Sequence, residues 1–145
     1  MKLIKISTDL ELSVHEFPQG SYAEQNKFLC GLIGNGCSTY EHVMARRLYT
    51  DFKVCDHPTK IQGECVSMLV DEEGMLKLNT VNMVGSYLYM TDVHGNPIMG
   101  NILLVGEAWG DDGIDFCGIE DGELERLEAE LNTLVLRAKK EGCLL

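Results

Sequence analysis

Near the end of the chain, Leu124, Leu127, Leu131, Leu134 and Ala138 recur at spacings of three and four. That rhythm lays side chains in one stripe along an α-helix. Asp121 precedes the stripe as the expected N-cap, with Glu123 and Glu125 near the positive helix end. Lys139 and Lys140 fall in the last turn, where the helix dipole favours cations. A helix with an apolar stripe must lay it on something. It can lie on a sheet of its own chain, or it can form a seam with a second copy. Val135 and Leu136 widen the stripe. Leu124, Leu127, Leu131 and Leu134 are therefore candidate contacts of a homo-oligomer, a dimer or larger.

The rest of the chain reads mainly as strands. Leu3, Ile4 and Ile6, a turn at Ser7–Asp9, then Leu10, Leu12, Val14 and Phe17 predict a hairpin with one buried face. Ser21 and Glu24 have the spacing of a capping box, so a helix should run from there to about Ile33. It should partly bury Phe28, Leu29, Leu32 and Ile33, and Gly34-Asn35-Gly36 should end it. Residues 37–44 and 46–54 read as extended, and residues 55–62 as a surface loop. Val66, Met68 and Val70 alternate as a strand that ends at an acidic turn, Asp71 to Gly74, with Met75 to Leu78 pairing back across it. Residues 80–90 fit either helix or strand. His94 to Pro97 reads as a turn, and Ile98 to Val105 as a strand buried on both faces. The expected fold is α+β: a mainly antiparallel sheet, one N-terminal helix after a hairpin, and a long C-terminal helix. At 145 residues the chain, residues 1–145, fits a single domain.

Charge and cysteine usage narrow the function. The net charge of −11 disfavours coating duplex nucleic acid or anionic membranes, and no apolar run approaches the ~20 residues of a spanning helix. The N-terminus lacks a secretory pattern. Cys30, Cys37, Cys55, Cys65, Cys117 and Cys143 form no C-x-x-C pair, so reduced thiols in a cytoplasmic setting are expected. His15, His42, His57 and His94 are scattered, and neither a metal nor a cofactor is predicted. Acidic charge also leaves a second class open, a protein-binding or DNA-mimicking inhibitor.

No nucleophile elbow, metal-spaced His pair or phosphate loop is present in the sequence, so a binder is expected rather than an enzyme. Arg46 and Arg47 stand out in an acidic chain, and an arginine's planar fork suits phosphate. A polar stretch including Asn82, Tyr87, Tyr89, Asp92, Asn96 and Asn101 supplies rings for stacking and amides for base edges or ribose hydroxyls. Trp109 opens a Gly- and Asp-rich loop, residues 109–116, whose spacing fails the calcium-loop pattern. Together these nine residues, from Arg46 to Trp109, are the candidate ligand site.

The frame Met1 to Ile6, the acidic turn Leu69 to Gly74, and Ile98 to Glu107 resemble a phage and prophage family, as do Val84 to Tyr89 and Trp109 to Ile119. That family is Thoeris anti-defence protein one, and the likeness extends over most of the chain. It implies sequestration, without cleavage, of a cyclic ADP-ribose isomer made by a TIR-domain enzyme in the host bacterial cytosol. It also implies a homo-oligomer and, in some members, cyclic oligonucleotides at a second site. The site residues above rest on their own chemistry.

Overall fold

In the computed structural model, which describes residues 1–144, the chain starts with the hairpin of β1 (Lys2–Ile6) and β2 (Leu12–Glu16). The Ser7 hydroxyl accepts from the amides of Asp9 and Glu11, which closes the turn. Helix α1 (Tyr22–Ile33) follows with both halves of its capping box made. The Glu24 amide donates to Ser21 Oγ at 3.2 Å, and the Ser21 amide to Glu24 Oε1 at 3.4 Å. Leu29 and Ile33 are buried, whereas Phe28 is 46 % exposed. Strand β3 (Tyr40–Val43), helix α2 (Arg46–Thr50), strand β4 (Val66–Asp71), and short helices α3 (Met83–Leu88) and α4 (Thr91–His94) come next. Strands β5 (Ile102–Gly110) and β6 (Gly113–Cys117) and helix α5 (Asp121–Glu141) complete the order.

One antiparallel sheet holds all six strands, in the order β2-β1-β5-β4-β3, with β6 paired to the far part of β5. The expected α+β class is therefore observed. One core cluster joins Ile4, Ile6, Met68, Ile102 and Leu104 of the sheet to Val84 and Leu88 of α3 and to the stripe of α5. A second cluster joins Leu3, Leu69, Leu103 and Val105 to Leu29 and Ile33 of α1. Close approach requires glycine at position 106: a Cβ there would sit 2.2 Å from the carbonyl oxygen of Gly118. Backbone meets backbone there, where β5 leaves β1 and takes up β6.

Helix α5 settles the question its stripe raised. Leu127, Leu131 and Ala138 are fully buried in this chain's own core, Leu134 and Val135 nearly so, and Leu124 is packed against it. The reading of Leu124, Leu127, Leu131 and Leu134 as a seam between copies is corrected. The sheet consumes that face, and only Leu136, 65 % exposed, points away. The N-cap is Glu120 rather than Asp121. Its carboxylate accepts from the amides of Gly122 and Glu123 at 3.0 and 2.9 Å, which holds its pKa below the ordinary value.

Three further expectations change. Residues 46–50 are helical, not extended, and bury Leu48 beneath them. Met75 to Leu78 form tight turns rather than a returning strand; Leu76 and Leu78 are 84 % and 85 % exposed. The last sheet strand of the core begins at Ile102, not Ile98, because Gly100 at φ +88° turns the chain into it. The 80–90 ambiguity resolves as helix α3. Among the described residues no helix is long and apolar enough to cross a membrane.

Candidate functional site

The Asn-rich stretch folds inward. Asn82 is fully buried at the N-cap of α3. Its side-chain nitrogen donates to the carbonyls of Ile6 and Gly100, both at 3.0 Å, and its oxygen accepts from the Gly85 amide at 2.9 Å. Asn101 donates to the Ile33 carbonyl at 2.9 Å and accepts from the Thr8 amide at 3.1 Å, tying α1 to the first hairpin. A buried amide with its hydrogen bonds already made gains little by turning to a ligand. Asn82 is structural, which corrects its place in the site; Asn101 is half-buried and ties backbone of α1 to the hairpin, away from the Arg46 groove.

Arg47 is engaged as well. Its guanidinium makes a bidentate pair with Asp92, at 2.9 and 3.0 Å, and donates to the Tyr87 carbonyl at 2.7 Å. The same group lies 4.3 Å from the centre of the Tyr87 ring. Arg47 thus holds α2 to α3 and α4 and covers the ring expected to stack on a base. The pair lowers the pKa of Asp92, chiefly through the Arg47 hydrogen bonds. Tyr89 packs edge-on against His94, 4.6 Å between ring centres, and lines a shallow pocket of ≈ 240 Å³ with Asn96. His94 fastens that corner: its Nε2 donates to the Tyr89 carbonyl at 2.8 Å, and its Nδ1 accepts from the Asn96 amide at 3.1 Å.

Two of the nine candidates do come together elsewhere. Arg46 and Trp109 line a groove of ≈ 610 Å³ between α2, the segment after it, and the β5–β6 hairpin. Trp109 is not in a loop. It sits on β5 opposite Ile114 of β6, 42 % exposed, and only the turn beyond it carries the Asp-Asp-Gly run. The hairpin curls back over the sheet, so that Phe116 meets Tyr40 and His42 of β3 edge-on at 6.1 and 5.8 Å. Arg46 is exposed, and its guanidinium has no ion-pair partner among the described residues. Arg126, by contrast, is paired with Glu123 and Glu130.

The remaining walls escaped sequence reasoning. Met44, 53 % exposed, and Ile114, 40 % exposed, supply apolar surface. Tyr49 lies at the base, its hydroxyl donating to the Val66 carbonyl at 3.2 Å, and burial pushes its pKa up to about 12. The nearby Glu107 carboxylate is buried and accepts from the Ser67 hydroxyl. Met90 lines the groove from a left-handed backbone conformation, φ 63° and ψ 43°. A non-glycine residue held there stores strain of order 1 kcal/mol or more, a feature that concentrates at functional sites. The left-handed Met90 carries no signal in sequence. Trp109, the one tryptophan of the chain, does.

An apolar cleft with a few convergent polar groups is what a small-molecule site requires. Here the rings of Trp109 and Tyr49, the Arg46 guanidinium, the imidazoles of His42 and His57 and the acidic residues Asp56 and Glu107 line the same space. Among the described residues no group of three or more His, Cys, Asp or Glu side chains is placed to hold a metal ion. No protein-family model, curated protein or solved structure matches this chain.

Proposed function

We propose that this chain is a non-catalytic sponge of the kind its sequence resembles, holding a cyclic ADP-ribose isomer in the groove between α2 and the β5–β6 hairpin. The observation that carries the reading is the joint placement of an exposed Trp109 and an unpaired Arg46 on one apolar cleft. A purine stacks on the indole, and the diphosphate meets Arg46 as a charge-assisted contact. In an acidic chain, one well-placed cation serves an anionic ligand better than a diffuse positive surface would. The setting proposed is the cytosol of a bacterial host, where a sponge acts by affinity and number of copies. A homo-oligomer belongs to the same reading. With the α5 stripe buried, it must use another apolar surface, such as exposed Met75, Leu76 and Leu78. Light scattering at micromolar concentration tests this: a mass of two or more chains is expected, and a species of 16.2 kDa alone rejects it.

The deciding experiment mixes purified protein with the product of a TIR-domain enzyme. The ligand should leave solution and return chemically unchanged after heating. A cleaved or linear nucleotide after heating means an enzyme. No uptake at all favours the second reading, an acidic inhibitor that binds a host protein or mimics DNA, for which the charge of −11 is the supporting observation.

A further inference from the structure

The segment between α2 and β4 forms one wall of the groove through Cys55, Asp56, His57 and Pro58. Two thiols meet behind it. Cys55 Sγ and Cys65 Sγ donate to one acceptor, the carbonyl oxygen of His57, at 3.3 and 3.0 Å. The two thiols are close enough that Cys55 raises the pKa of Cys65. Their settings differ. Cys65 is 4 % exposed and anchored to the sheet, its carbonyl accepting from the Glu107 amide at 2.9 Å. Cys55 is half-buried, faces the groove and belongs to the wall. The His57 ring lies against it, with Nδ1 at 3.6 Å and Nε2 at 3.7 Å from Cys55 Sγ.

We propose that Cys55 and Cys65 form a redox-modified pair, which a small disulfide such as oxidised glutathione converts to a disulfide bond fastening the groove wall to the sheet. Cys55 passes its proton to the His57 imidazole, and the thiolate attacks one sulfur of the small disulfide. That S–S bond breaks, a mixed disulfide forms on Cys55, and one glutathione thiolate leaves. Cys65 then loses its proton and attacks the Cys55 sulfur, displacing the second glutathione thiolate. The two leaving thiolates take up the two protons. Two cysteine thiols are oxidised by two electrons, and one small disulfide is reduced to two thiols. The division of labour follows from the surroundings. Burial, with the neighbouring Cys55 adding to it, pushes the Cys65 thiol up to about 12. It is therefore a poor first nucleophile and a suitable second one, once the mixed disulfide lies against it.

Cys30, on α1, and Cys37, just after it, are a second neighbouring pair and serve as the internal control. Burial also pushes Cys37 up to about 12. The ligand-free full chain is incubated with oxidised glutathione, the remaining thiols are alkylated, and the peptides are mapped by mass spectrometry. The expected product is a peptide cross-linked between Cys55 and Cys65, formed before any Cys30–Cys37 cross-link and reversed by a dithiol. In the Cys65→Ser variant a glutathione adduct should accumulate on Cys55. In Cys55→Ser, Cys65 should remain a thiol. His57→Gln should slow formation without changing the product. Wild-type protein that stays reduced at both positions, or that oxidises first at Cys30 and Cys37, overturns the proposal. So does a Cys65→Ser chain that gains no adduct. Control of ligand uptake by the fastened wall rests on the groove reading above, and is measured on the reduced and cross-linked forms side by side. Equal uptake by both removes the regulatory role. Uptake by neither, with the cross-link formed, counts against the groove reading alone.

Discussion

Between Asn79 and Asn101 most polar side chains are engaged by one another or by the backbone, even where they reach the surface; between Met44 and Pro58 several, Arg46 among them, line a groove. The first stretch is dense in amides and rings, yet its groups answer one another. Asn82 meets three backbone partners, Asn101 two, and Asp92 the fork of Arg47. The second stretch has few eye-catching residues in sequence, yet among the described residues it leaves Arg46 without a carboxylate partner, and Met44 stands half out in water. A binding site is marked by groups whose hydrogen-bonding or stacking capacity is still open. A count of polar residues does not measure that.

Substitutions at the two stretches should therefore separate stability from affinity. The largest effect is expected at Asn82. Asn82→Ala strands the Ile6 and Gly100 carbonyls and the Gly85 amide in the core. At ~1–3 kcal/mol for each buried unpaired group, partly relieved by relaxation, the loss is roughly 3–5 kcal/mol. Urea unfolding should show a lower midpoint at unchanged slope, and the folded fraction should bind ligand like the parent. Parent-like stability with lost binding would break the comparison.

Next come the groove residues. Arg46→Ala should weaken ligand binding by roughly 1.5–3 kcal/mol, and Trp109→Ala by ~1–3 kcal/mol, about five- to a hundredfold in Kd. Arg46→Ala should leave the unfolding midpoint in place, since Arg46 is exposed, and Trp109→Ala, whose ring is 42 % exposed and lies opposite Ile114, should lower it less than Asn82→Ala does. Calorimetry that finds both variants binding like the parent moves the site elsewhere on the molecule.

Arg47→Ala is the reciprocal control. It frees Asp92 and uncovers the Tyr87 ring, so the melting temperature should fall by a few degrees while Kd stays at the parent value. A drop in affinity larger than that of Arg46→Ala would restore Arg47 as the phosphate contact.

The smallest change is expected for Tyr49→Phe, about 1 kcal/mol at neutral pH from the lost bond to the Val66 carbonyl. Its pH dependence is more telling. Burial raises the folded-state phenol from 10.0 to about 12, so the folded protein holds that proton where the unfolded chain gives it up. The contribution is intact below pH 10 and declines as pH rises towards 12. The gap between parent and variant should therefore narrow over that window, as followed by denaturation at successive pH values.

Much of the fold was legible because its signals were local and redundant. Ser21 and Glu24 announce α1 by reciprocal caps, and the 3,4 stripe announces α5. Alternation at Val66, Met68 and Val70 marks β4. What failed was equally specific. Helix α2 buries only Leu48 within its span, too little periodicity to outweigh a weak alternation. Met75 to Leu78 carry strand-like apolar residues but lie in turns, a case where composition misleads. The start of β5 was misplaced because Gly100 adopts a conformation that no residue pattern advertises. The site was legible in only two of its members. Arg46 and Trp109 lie far apart in sequence, and the curl of the β5–β6 hairpin brings them together.

The sheet order also has a consequence for how the chain is made. β1 is synthesised first, but its inner edge pairs with β5, Lys5 opposite Leu103. The apolar side that Ile4, Met68 and Leu104 build is covered by α5, which comes after every strand. Pairings so distant in sequence slow folding, and an uncovered strand edge or apolar face invites association with other chains. Until α5 has been translated, the strands made before it carry an open edge and an uncovered apolar face. The docking of α5 is therefore the step that removes this exposed apolar face from the reach of other chains.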